Sequence, residues 1–92
     1  MLIVLPFGAG PLKNPRVVEF GRNIRRLRRE RQLSQEGLAA VAGIDRGYMG
    51  HVERGEKNIT IVNVFRIADA LGVEPGELFS GVTGSSTDPE DR

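Results

Sequence analysis

Ninety-two residues carry no cysteine, no tryptophan and a formal net charge of +1. That length allows one domain at most, and a chain this small buries only about 60% of its unfolded surface, so a partner subunit would help its core. A disulfide framework, a thiolate metal site and a cysteine nucleophile are excluded, and His51, the only histidine, has no cysteines with which to build a zinc cluster.

Residues 1–15 (MLIVLPFGAGPLKNP) hold three prolines and two glycines and read as an extended arm. Its apolar start, Met1–Phe7, lacks a basic n-region and is broken by Pro6, so it does not read as a secretory signal. No apolar run of about 18 residues occurs anywhere, so no membrane span is expected, and cysteine absence suits the reducing cytoplasm.

Phe20, Ile24 and Leu27 recur at helical spacing and predict a first helix from about Val17 to Arg31, with arginines on its other faces. Ser34 is a good N-cap for a second helix that buries Leu38, Ala39 and Ala42. Gly43 suits a tight turn with positive φ. Asp45 caps a third helix to about Arg54, with Met49 and Val52 inward and Gly55 as its stop. Thr60 caps a fourth, Ile61–Leu71, which buries Val64, Ile67, Ala68 and Leu71. Glu74-Pro75 begins a last short helix ending at Leu78-Phe79. From Gly81 the chain is Gly/Ser/Thr-rich and acidic, and reads as a disordered tail. The domain is expected at 16–80, all-α, with five helices and no sheet core.

Gln35–Arg54 is two short helices joined by Ala42-Gly43-Ile44-Asp45, the arrangement of a helix-turn-helix. Ala39 allows a close crossing, and Ile44, Met49 and Val52 plug the angle between the helices. The outer face of the second helix is then left with Arg46, Gly47, Tyr48, Gly50 and His51. Charge agrees: Lys13–Arg66 holds twelve Lys/Arg against six acids, while Ile67–Arg92 holds six acids and one base. A basic body points to a polyanion partner. Ser34, His51 and Asp45 come with no nucleophile elbow or oxyanion loop, and the glycines form no phosphate loop after a strand, so no enzyme, cofactor or small-molecule substrate is expected.

Leu33-Ser-Gln-Glu-Gly-Leu-Ala-Ala-Val-Ala-Gly43, Glu53-Arg-Gly55, Ile67-Ala-Asp-Ala-Leu-Gly-Val73 and Glu77-Leu-Phe79 together resemble the Cro/C1-type (Xre family) helix-turn-helix domain over about 17–79. Asp45-Arg-Gly-Tyr48, Glu53–Thr60 and Asn63–Ala68 look most like the controller proteins of restriction–modification systems. The resemblance implies a five-helix, lambda-repressor-like DNA-binding domain. It implies a homodimer on a palindromic site in double-stranded DNA, and autoregulation. It places Gln35 at a phosphate or base edge, Arg46 and Gly47 in the major groove, Tyr48 and His51 at bases or backbone, and Lys57 and Asn58 on phosphates. It pairs Arg28 with Glu53 as a partly buried ion pair. Leu78 and Phe79 are expected either to close the core or to make the dimer contact, and Tyr48 to be core or interface. Gly37, Gly47 and Gly50 and the arm depart from the family pattern. The rest of the arginine run, Arg22, Arg25, Arg26, Arg29 and Arg31, reads as a solvated face. The alternative reading is an antitoxin or protein-interaction module on the same scaffold, since fold does not dictate function.

Overall fold

A computed structural model describes residues 13–83 of the chain. Residues 1–12 of the expected arm and 84–92 of the expected tail lie outside the described residues. Those described form four α-helices, α1 (Pro15–Glu30), α2 (Gln35–Ala42), α3 (Arg46–Glu53) and α4 (Ile61–Leu71), followed by a 3-10 helix, Pro75–Phe79.

The expected fifth α-helix is thus a 3-10 helix. Five residues beginning with Pro-Gly are too few to propagate the i→i+4 pattern, and 3-10 geometry is used in short pieces. The first helix also starts earlier than Val17. Asn14 caps it by accepting from the Arg16 backbone N–H at 2.8 Å, and Pro15 takes the first helical position, where its missing N–H has no intrahelical partner to lose.

Helix α1 packs on α3 and on the 3-10 helix, and α2 packs on α3 and α4. Between them lies one core of thirteen buried apolar side chains. It comprises the four apolar stripes of the helices together with Leu78, whose side chain is 0% exposed. Asn23, on the buried face of α1, donates at 2.9 and 2.8 Å to the carbonyls of Leu78 and Ser80. This amide holds the 3-10 helix against α1, and a polar residue within an apolar stripe is the signal that such a partner exists.

Arg31 is exposed, as expected of the arginine run, but its guanidinium is also engaged. Its Nε donates to the Leu71 carbonyl at 2.6 Å, and Nη1 to the Leu27 carbonyl at 3.0 Å. One guanidinium therefore satisfies carbonyls at the C-terminal ends of both α4 and α1, where positive charge also complements the helix dipole.

Candidate nucleic-acid interface

The turn between α2 and α3 needs a left-handed residue, and Gly43 supplies it with φ of 71°. The Ile44 N–H bonds back to the Ala39 carbonyl at 2.9 Å, closing the turn. Asp45 then caps α3 by accepting from the Tyr48 backbone N–H at 3.0 Å. Because α3 is only eight residues long, this cap holds a large share of it. Asp45→Ala is expected to cost about 1 kcal/mol, read as a lower urea midpoint with unchanged m-value.

Arg46 and Gly47 are exposed in the first turn of α3, and Tyr48 is half-buried against the core. Gly50 is not on the outer face. It is buried, and a Cβ there would lie 3.2 Å from Gln35 Oε1 and 3.3 Å from an Arg54 nitrogen. Gln35 does not project freely either. Its Nε2 donates to Glu53 Oε1 at 3.0 Å, which turns the side chain back toward α3.

That carboxylate is the centre of a buried network. Arg28 grips Glu53 through Nε at 2.6 Å and Nη2 at 3.0 Å, and its Nη1 donates to the Leu33 carbonyl at 2.9 Å. One guanidinium thereby joins α1, the α1–α2 connection and α3. Among the described residues no buried side-chain nitrogen or oxygen is left without a partner. The network needs α1 and α3 to touch closely. A Cβ on Gly21 would fall 2.5 Å from the Val52 carbonyl oxygen, and one on Gly55 2.6 Å from the Val18 Cα. Gly21 is missed by the sequence reading, although a mid-helix glycine, which otherwise only weakens the helix, is the signal of such a close approach.

Past α3, Lys57 and Asn58 are exposed in the loop. His51 Nδ1 lies 2.7 Å from Glu56 Oε1, Arg54 Nε donates to the same oxygen at 3.2 Å, and Lys13 Nζ stands 3.6 Å from Oε2. An ionised carboxylate has no proton to give, so Nδ1 is the donor. The His51 hydrogen bond holds the Glu56 carboxyl below the ordinary glutamate range; desolvation opposes it, and Arg54 and Lys13 lower it further. Leu78 is sealed inside its own subunit, where it closes the core. Phe79 is 46% exposed, with its ring 4.8 Å from Phe20. No group of three or more potential metal ligands occurs among the described residues.

The family model described as helix-turn-helix, HTH_3, matches residues 24–78, which spans every contact of this network except Gly21 and Val18. The chain belongs to the HTH_3 family. HTH_3 proteins are DNA-binding transcriptional regulators. Among HTH_3 relatives, control protein C.MunI of Mycoplasma sp. is 39% identical over 66 residues, 71% of this chain and 89% of that protein. Control protein C.BamHI of Bacillus amyloliquefaciens is 37% identical over 65 residues, 70% of this chain and 80% of that protein. The crystal structure of the restriction-modification controller protein C.AhdI from Aeromonas hydrophila superposes with a TM-score of 0.71 at 48% identity, covering 72% of this chain and 100% of that one.

Proposed function

We propose that the chain is a sequence-specific regulator that binds double-stranded DNA as a homodimer on a palindromic operator and, in the cytoplasm, autoregulates a restriction–modification operon. The observation that carries this reading is the outward side of α3, with Arg46 and Gly47 exposed at its start and Lys57 and Asn58 exposed just past its end. An arginine there binds guanine O6 and N7 with both arms of its guanidinium, while a lysine and an asparagine hold phosphates. Tyr48 and His51 flank this face, and Gln35 meets the backbone through the free N–H groups at the start of α2. The operon assignment rests on the likeness to the restriction-modification controller protein C.AhdI, with the control proteins C.MunI and C.BamHI beside it.

With Leu78 buried, the dimer face is assigned to the outer side of α4, where Ile61, Val62 and Phe65 are at least half exposed, together with Phe79. An exposed apolar cluster on so small a domain is the kind of surface that a second subunit covers.

Selection of duplexes from a random pool at near-physiological salt tests the reading. The expected product is a palindrome with half-sites about 34 Å apart. Arg46→Ala should erase preference at one base pair, by about 1–3 kcal/mol or about 5- to 150-fold, whereas Lys57→Ala should weaken all sequences alike. Recovery of no motif, with only salt-sensitive bulk binding, would overturn the regulator reading in favour of a protein-interaction module.

A further inference from the structure

Glu56 is the one acidic side chain among the described residues on which three basic side chains from separate stretches converge. Lys13 precedes α1, His51 belongs to the last turn of α3, and Arg54 follows α3. All four side chains are about a third to a half exposed, so their pairing adds little to the stability of the fold. Beside them runs an open groove of about 570 Å³, lined by Lys13, Asn14, Lys57 and Asn58 as well as Glu56. Every polar side chain of that groove except Glu56 can donate. A ring of donors around a single carboxylate has the composition of an anion site with its anion already present.

We propose that Lys13, His51 and Arg54 form a phosphate site which Glu56 fills in the free protein and which a DNA phosphodiester takes over on binding. The inference rests on the DNA-binding reading above. Carboxylate and phosphate offer the same charged oxygen acceptors, and Arg54, which holds Glu56 through Nε alone, can give its guanidinium to either. The exchange needs only a side-chain rotation. The backbone before Glu56 is pinned, because Gly55 is left-handed with φ of 75° and sits against the Val18 backbone. At neutral pH Glu56 is fully ionised, held so by His51 and Arg54, and competes at full strength. Its effect is to weaken the hold of these side chains on the phosphates of any duplex, whatever its sequence.

The decisive variant is Glu56→Gln, which keeps size and a hydrogen-bond acceptor but removes the charge. For the full chain, the variant should bind the selected duplex and a scrambled duplex more tightly than the wild type. The slope of log K against log salt should steepen by about 0.9, because one cationic charge that Glu56 neutralises in the wild type then acts in full on the phosphates, so about threefold more affinity is lost between 50 and 200 mM salt. The ratio of the two affinities should stay constant, because phosphate contacts carry no sequence information. Inorganic phosphate provides a readout without DNA: it should shift the His51 ring signals of Glu56→Gln in NMR and leave those of the wild type in place. Arg54→Gln in the wild type should make the slope shallower by a similar amount. Unchanged slopes in both variants, or no phosphate response in Glu56→Gln, would overturn the proposal. A phosphate response without binding of any duplex would keep the site and overturn the regulator reading instead.

Discussion

Arg28→Ala is expected to remove about 3–5 kcal/mol of folding stability, the cost of stranding a buried charge. Glu53 is buried, and Gln35 alone would remain to bond its carboxylate. The Leu33 carbonyl would lose its partner in the same change. A chain of this length has roughly 5–14 kcal/mol in total, at about 0.05–0.15 kcal/mol per residue, so the variant would stand at or near the limit of folding. Urea denaturation at neutral pH measures it, as a fall in midpoint at constant m-value. The companion experiment is Arg28→Met with Glu53→Leu. Replacing both partners by apolar groups of similar size is often neutral or stabilising, so most of the loss should return. A single variant that costs under about 1 kcal/mol would mean the pair is effectively solvated and ties nothing together. The double variant also frees Gln35, and with it the start of α2, which makes its DNA affinity a measure of how far this network orients the helix-turn-helix rather than merely supporting it.

Gly21→Ala is the second large effect, and its sign runs against helix propensity. Alanine in a helix interior is favoured over glycine by about 1 kcal/mol. Here the new methyl would lie 2.5 Å from the Val52 carbonyl oxygen and 2.6 Å from that of Glu53. Both are backbone atoms at the end of α3, so no side chain can swing away. Helix α1 must move off α3 as a body, opening the Arg28–Glu53 pair about two turns further along α1. Overpacking of this kind costs about 1–3 kcal/mol and occasionally more, and the rigid neighbours place this case at the upper end. Gly76→Ala is the control, since nothing lies within 4 Å of a Cβ there. Thermal unfolding should show a lower midpoint for Gly21→Ala and almost none of that change for Gly76→Ala. Equal midpoints for the two would show that the α1–α3 contact is looser than the distances imply.

The sequence by itself determined α2, α3 and α4 with their caps, and the buried faces of all four α-helices. Phe20, Ile24 and Leu27, or Val64, Ile67 and Leu71, repeat at a period set by local backbone geometry, and Ser34, Asp45 and Thr60 act on N–H groups within three residues of themselves. The turn at Gly43 is equally local. Other features depended on where a second helix stands. Periodicity placed Gly50 outside, yet the crossing of α2 over α3 turns it toward Gln35, and that crossing also draws the Gln35 amide onto Glu53. Arg31 reads as one more surface arginine until the end of α4 arrives beside it. Leu78 could serve a core or a dimer with the same side chain, and only the packing of the 3-10 helix against α1 seals it inside. Lys13 and Glu56 are forty-three residues apart, and nothing local pairs them. Short-range rules decide which residues face inward, because one helix defines its own inside. Which partner a long polar side chain reaches is decided by interhelical distance and angle, which arise only when the whole core packs.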